Sequence, residues 1–328
     1  MDEQKMKSGS WWGRRSRRGK LLVIAIAVGI FIVALGLGLG LGLGLNNGSG
    51  GDNSESSTTP ASPLPTAPTN GSVYQPPVNS TWQIVLLKSI NVPDGASSVV
   101  PDVGIFDIDL FLTPKSTIDT LHNLGKKVIC YFSAGSYEPD RPDSNQFKAS
   151  DQGKGLKGWP GEKWLNLNSD NVRSIMTSRI NLAAQKGCDA IDPDNMDAYD
   201  NDNGIGMTQT DSINFIGWMS NQTQSLRMGL GLKNAAAIIP SVLPAVQFSV
   251  QEQCVQFSEC DKYSPFIKSG KPVFHIEYPS EVKSNFASNF CKNDGPANGS
   301  YEFSTVIKNF NLDGWIEQCN GATSTTPT

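Results

Sequence analysis

Residues 187–199, GCDAIDPDNMDAY, set Asp189, Asp192, Asp194 and Asp197 behind a glycine suited to a helix end and an apolar alternation suited to a strand. Alternation sends Ala190, Asp192 and Asp194 to one side and Asp189, Ile191 and Pro193 to the other. Asp194 then stands at the strand end, with Asn195 next. Three other strand-like stretches carry carboxyls to their ends: FDID with Asp107 and Asp109, SVQEQ with Glu252, and FHIEY with Glu277. Paired carboxyls across a cleft are what glycoside hydrolysis needs, one to protonate the leaving oxygen and one to attack the anomeric carbon or activate water. Asp189, on the opposite side, is expected to be a structural hydrogen-bonding residue near the strand base.

Other chemistries fit less well. The chain has two histidines and no GxSxG, which argues against a Ser/His hydrolase; His122 falls in the helical TIDTLHNLG and reads as a surface residue, while His275 falls within a strand. An EF-hand register from Asp200 through Asp202 reaches Asp211 at its twelfth position, but Ile205 stands where the loop needs glycine. No metal and no cofactor is expected.

Carboxyls at strand ends need a scaffold that brings strand ends together. Along 82–320 the pattern alternates strand and helix, with strand-like runs near 82–88, 103–111, 127–133, 188–194, 228–233, 246–251, 272–277 and 312–317. A helix is expected after Ser169, with Val172, Ile175, Met176, Arg179 and Ala183 on one face and Gly187 at its end. Another over 209–226 opens on a capping box of Thr208 and Asp211 and carries Phe215, Ile216, Trp218 and Met219. Eight such units predict an α/β fold, a (β/α)8 TIM-type barrel, whose active site lies at the C-terminal ends of the strands.

The first 81 of the 328 residues are of another kind. Residues 1–20 carry seven basic against two acidic side chains, a basic cytoplasmic tail, and Leu21–Leu45 runs without a charge. At roughly 1.5 Å per residue that run exceeds the roughly 30 Å of bilayer hydrocarbon, and it predicts a transmembrane signal-anchor helix. With positive charge before the span, the bulk of the chain is expected outside the cell, a single-pass type II plasma-membrane protein whose domain could be shed into the wall or medium. Residues 46–81, rich in Gly, Ser, Thr and Pro, predict a disordered stalk; 82–320 is the barrel and 321–328 a disordered tail. Sequons at Asn47, Asn70, Asn79, Asn221 and Asn298 suit a secretory lumen. So do six cysteines, all after the span and without CxxC spacing. Cys254 and Cys260, close in sequence, are expected to pair; of the three pairings the other four cysteines then allow, Cys291 with Cys319 and Cys130 with Cys188 is the one guessed.

Beyond residue 45 the chain keeps 20 of its 27 basic and 29 of its 31 acidic residues, a balance of −9. That balance argues against nucleic acid as a partner and favours a cationic or neutral one.

The stretches GIFDIDLF, KKVICYFSAGSYE, GCDAIDPDNMDAY, QFSVQEQC and PVFHIEY, in that order, resemble the fungal and bacterial endo-α-1,4-polygalactosaminidases of glycoside hydrolase family 114, also met as spherulin-4-like proteins. The resemblance covers about 82–319. It implies a (β/α)8 barrel, an α-1,4-linked galactosamine-rich substrate such as fungal galactosaminogalactan, and catalytic carboxyls at Asp194 and Glu252. Cys188 and Ala190 depart from the family's GFDG-like version of the strand. Galactosamine polymers carry ammonium groups, so Asp107, Asp109, Asp192 and Asp197 would attract them. Tyr131, Asn195, Glu277 and Tyr278 complete the expected substrate contacts, and Trp82, Tyr137 and Trp159 are further aromatics that could stack on sugar. Asp194 is expected to be the nucleophile and Glu252 the acid/base, with Glu277 in reserve, in a protein acting as a monomer. The competing reading is a carbohydrate-binding or wall-organising protein on the same barrel without catalysis.

Overall fold

The computed structural model describes residues 72–279 and 287–328. The chain divides into two compact units, Met1–Thr59 with Gly155–Gly161 and Pro60–Lys154 with Glu162–Thr328. Of the first, residues 155–161 are described, a segment of turns in which Trp159 is 52 % exposed. The fold and the site belong to the second. The expected tail 1–20, the span 21–45 and most of the stalk lie outside the described residues; among those described, no helix is long and apolar enough to cross a membrane.

Eight strands follow one another in sequence order, each parallel to the next: β1 (Trp82–Val85), β2 (Ile105–Asp109), β3 (Lys127–Ser133), β4 (Ala190–Asp194), β5 (Gly229–Lys233), β6 (Phe248–Glu252), β7 (Val273–Glu277) and β8 (Ser304–Lys308). Two antiparallel strands, β9 (Trp315–Gln318) and β10 (Thr323–Thr325), extend the sheet beyond β8. Side chains tie the last strands back to β1. The Trp82 indole donates to the Ser304 carbonyl at 2.8 Å, the Gln83 amide to the Gly314 carbonyl at 3.0 Å, and the buried Lys308 ammonium to Gln83 Oε1 at 2.8 Å. The result is a TIM-like α/β barrel.

Alternation along the strands builds its two faces. One face of the parallel strands other than the glycine-rich β5 supplies an apolar cluster that includes Ile84, Ile105, Ile129, Ala190, Phe248, Val250, Phe274, Ile276 and Val306. The opposite face packs on helices, chiefly α1 (Lys115–Asn123), α2 (Asp170–Lys186) and α3 (Gln209–Ser225). Helix α2 starts where the Ser169 side chain accepts from the Val172 amide and stops at Gly187, whose φ of 93° is the left-handed turn glycine makes without strain. Helix α3 opens on the expected Thr208–Asp211 capping box.

Four expectations are corrected. The eighth parallel strand is Ser304–Lys308, whereas the apolar run near 312–317 is the antiparallel β9; STVIK is short and half polar, so it offers a weaker hydrophobic signal. The last eight residues are ordered: Thr323–Thr325 pairs with β9, and Thr326 is buried and donates its amide to the Gly314 carbonyl at 2.8 Å. Folded structure also begins before residue 82, since the Tyr74 amide donates to the Arg227 carbonyl at 3.2 Å and Lys127 sits 5.3 Å from the Tyr74 ring centre. Trp82, considered as a sugar platform, is 1 % exposed and packs on Phe274 in the core.

All three expected disulfides are present: Cys130–Cys188, Cys254–Cys260 and Cys291–Cys319. Asn79, Asn221 and Asn298 are exposed, while Asn47 and Asn70 lie outside the described residues.

Candidate active site

Strands β2 to β6 end in polar residues on the parity of the apolar cluster: Asp109 on β2, Ser133 on β3, Asp194 on β4, Lys233 on β5 and Glu252 on β6. Beneath them, one pleat deeper, stand Asp107, Tyr131 and Asp192. After Asp194, Lys233 and Glu252 the chain turns through a left-handed residue each time, Asn195 at φ 62°, Asn234 at 49° and Gln253 at 63°. Such positions are uncommon outside glycine and gather at functional sites, where the chain must leave the strand sharply. The Asp194 carbonyl accepts from the Ala134 and Gly135 amides at 2.9 and 3.0 Å, which fixes the end of β4 against the loop after β3. Arg179 braces that loop from α2. It is 1 % exposed, forks onto Asp143 with two bonds of 2.8 Å and donates to the Ser133 carbonyl at 2.6 Å.

The two expected working carboxyls are each held by two donors. Asp194 accepts from the Tyr131 hydroxyl at 2.9 Å and from the Asn195 amide at 2.8 Å. Glu252, whose side chain is 24 % exposed, accepts from the Tyr278 hydroxyl at 2.5 Å and from the Asn234 side chain at 3.1 Å, while its own amide donates to Asn234 Oδ1 at 3.0 Å. Burial raises both tyrosine hydroxyls well above their ordinary range, so they remain donors.

Asp107 and Asp192 are fully buried, and none of their four oxygens has a hydrogen-bonding partner of ordinary geometry. Burial first, then the charge of Asp192, pushes Asp107 well above the carboxylate range. Asp192 rises to about 6 through burial, which the Lys233 charge opposes and the Asp194 and Glu252 charges reinforce. Charge on both carboxyls at once is disfavoured in so dry a place, which is why both are raised. For Glu252, burial acts upward but is outweighed by Lys233 and by the donors Tyr278 and Asn234, and its carboxyl sits below the ordinary range.

Further out, Asp197 is half-buried and raised to about 7 by burial and by the Asp194 charge. The Asn195 side-chain amide donates to the Ser133 and Ser136 hydroxyls at 3.0 and 3.2 Å, and the Ser136 hydroxyl in turn donates to Glu162 at 3.1 Å. Burial, Glu138 and Asp194 push Glu162 up to about 8.

The structure therefore brings Asp107, Tyr131, Asp192, Asp194, Glu252 and Tyr278 around one point and sets other candidates apart. Asp109 is committed to structure: one oxygen caps the Phe111 and Leu112 amides at 2.8 Å each, and the other pairs with Arg141 at 2.6 Å. Glu277 has the opposite parity. It is 1 % exposed and takes the Val255 amide at 2.7 Å and His275 at 2.8 Å, so it secures the turn after Glu252. The Cys254–Cys260 disulfide closes the same turn. His275 is a core residue, 0 % exposed. His122 is half-buried rather than on the open surface, because Asp189 draws it in at 2.9 Å; Asp189 also holds Lys127 at 2.7 Å and the Val128 amide at 2.9 Å, at the base of β3.

Sequence reasoning missed Lys233, Asn234, Glu138 and Glu162. For Lys233 a signal existed: in GLGLK the two glycines and the lysine share a parity, and a Cβ on Gly231 would meet the Phe248 ring at 2.5 Å, so that parity faces the core. Glu138 and Glu162 flank short strands of a small separate sheet, Ser136–Tyr137 and Lys163–Leu165, in an excursion between β3 and α2 whose strands are too short for a clear period.

A family model, Glycoside-hydrolase family GH114, matches residues 63–324. The chain belongs to family GH114 and is a glycosidase. Among solved structures it is similar to Aspergillus fumigatus Ega3, crystallised in complex with galactosamine, with 50 % identity over 76 % of this chain and 99 % of that one and a TM-score of 0.71. The glycoside hydrolase domain of PelA from Pseudomonas aeruginosa shares the fold at 12 % identity, covering 71 % of this chain and 96 % of that one with a TM-score of 0.57. No curated protein sequence matches the chain.

Proposed function

We propose that this GH114 member is an endo-acting hydrolase of α-1,4-linked galactosamine-rich polysaccharide of the galactosaminogalactan kind. The observation that carries the reading is the 50 % identity to Ega3, whose crystals hold galactosamine, over a chain whose strand ends gather carboxyls. The charge of the site agrees with a cationic sugar. Around Lys233 stand Asp107, Asp192, Asp194 and Glu252, so even with one of them protonated the cluster is negative, and an ammonium-bearing substrate relieves it.

In this reading Asp194 attacks the anomeric carbon, and Glu252 protonates the glycosidic oxygen and then takes a proton from the incoming water. The donors on Asp194 hold its carboxyl in place for attack. Glu252, held below the ordinary range, is ready for its second task and must be loaded with a proton for its first. A retaining outcome corresponds to carboxyls about 5–5.5 Å apart. Three disulfides and exposed sequons support a domain working outside the cell, a monomer tethered through residues 21–45 at the plasma membrane and acting on wall or biofilm polymer.

The test is incubation of the full chain with an α-1,4-galactosamine polymer, its N-acetylated form and chitosan, with products sized over time. Short oligomers from the first, fewer from the second and none from the third are expected. An intact galactosamine polymer would overturn the reading.

A further inference from the structure

Lys233 ends β5 on the inner parity with its side chain 2 % exposed, and its ammonium stands 3.5 Å from Asp192 Oδ2 and 3.6 Å from Glu252 Oε2. It also lies 5.3 Å from the centre of the Tyr131 ring, whose hydroxyl donates to Asp194. One buried cation thus touches one working carboxyl directly and the other through a tyrosine. The groups facing it are Asp107 from β2, Tyr131 from β3, Asp192 and Asp194 from β4, and Glu252 from β6, which itself is gripped by Tyr278.

We propose that Lys233 is a positioning residue of the reaction, one that acts by setting the charge balance among the carboxyls and so the readiness of Glu252 to hold a proton. The proposal rests on Glu252 as a working carboxyl. Four carboxyls packed this closely could not share the site without a cation, since burying charge without a partner is costly. Lys233 stands at nearly equal distances from Asp192 and Glu252 and is attracted by Asp194 and Asp107 as well, so it links the buried carboxyls to the one at the mouth. Neither oxygen lies within an ordinary hydrogen bond of it, and the bonds that orient Glu252 come from Tyr278 and Asn234. Its contribution is therefore charge. Removing it leaves Glu252 oriented but in a more negative place, where it holds a proton more tightly. A sugar ammonium is repelled from the Lys233 side of the site, which leaves the Asp194 and Asp197 side for it.

The test compares the full chain with Lys233→Met and Lys233→Arg, following the Glu252 side-chain carboxyl by 13C NMR across pH. The titration midpoint is expected to shift upward in K233M and to stay near the parent value in K233R. Should K233M not fold, Lys233→Gln keeps a polar group without the charge and makes the same comparison. An unmoved Glu252 midpoint in the neutral variants overturns the proposal. This readout needs no turnover, so polymer cleavage can fail while Lys233 is upheld, and the reverse. Where the parent cleaves polymer, the kcat/KM profile of K233M moves with the midpoint. Movement of its alkaline limb marks Glu252 as the proton donor, and movement of its acid limb marks it as the group that works ionised; a profile that stays put while cleavage persists counts against Lys233 as well.

Discussion

The carbonyl oxygen of Asn195 lies 1.7 Å from the place a Cβ on Gly135 would occupy. No side chain fits there, and the obstacle is backbone rather than a flexible side-chain tip. Gly135 also donates its amide to the Asp194 carbonyl at 3.0 Å, so the glycine that leaves no room for a methyl group also seats the end of β4. Gly135→Ala must push Asn195 outward and carry the Asp194 carboxyl with it. A displacement near 1 Å in a reacting group costs about 100-fold in rate. The expected outcome is a folded protein with kcat lowered by about that factor. Gly104→Ala, where the nearest atom is at 3.5 Å, keeps the parent rate and serves as the control.

Asp194→Asn and Glu252→Gln keep the shape of the side chains and one acceptor oxygen of each while removing their chemistry. Each is expected to fold, to bind polymer and to lose turnover by about 10²–10⁴-fold. The pH profile separates their roles. A proton donor held below the ordinary carboxyl range loses its proton early as pH rises, so kcat/KM of the parent should peak on the acid side and decline toward neutrality. A rate that climbs from acid pH to a plateau at neutrality would make Glu252 the nucleophile or base instead.

Much of this was legible in the sequence because the signals were periodic. Alternation placed Asp192 and Asp194 on the Ala190 side of their strand, and the capping residues Ser169, Gly187, Thr208 and Asp211 marked helix ends that the structure reproduces. What alternation could not settle was occupancy. Asp109 and Glu277 have the right type and the right place along the chain, yet Arg141 and backbone amides claim the first and His275 with the Val255 amide claims the second. Arg141 and Val255 lie 32 and 22 residues from these carboxyls and meet them only once neighbouring strands have paired. Glu162 illustrates the same limit, since it enters the site from an excursion with no clear hydrophobic period, through a serine that bridges it to Asn195.

Glu162 also yields a stability prediction. An ordinary glutamate releases its proton near 4.5, whereas the folded protein holds this one to about 8. Between those values the native state binds a proton the unfolded chain has lost, so stability falls as pH rises through that window. Glu162→Gln removes the titrating group and keeps a side chain of the same shape. Its melting temperature is expected to gain on the parent steadily from pH 5 to pH 8 and to keep a constant lead above that. A gap independent of pH across the range would show that Glu162 titrates as an ordinary carboxyl.

The disulfides differ in what they should contribute to stability and to activity. Cys130–Cys188 joins residues 58 apart, and Cys254–Cys260 residues 6 apart. Restricting the unfolded chain over those loops is worth about 4 and about 2 kcal/mol respectively by the chain-entropy relation. The longer bridge ties β3 to the base of β4, whose partners Cys130 and Ile191 are in register, far from the strand ends. The shorter one closes the turn directly after Glu252, where Glu277 also holds the Val255 amide. Replacing Cys130 and Cys188 together by alanine should lower the melting temperature more and leave kcat nearly intact. Replacing Cys254 and Cys260 by serine should lower it less and reduce kcat several-fold, because Glu252 then sits on a looser turn. Thermal unfolding and polymer turnover measured on both double variants decide the matter, and equal effects on turnover would show that the short bridge does not steady Glu252.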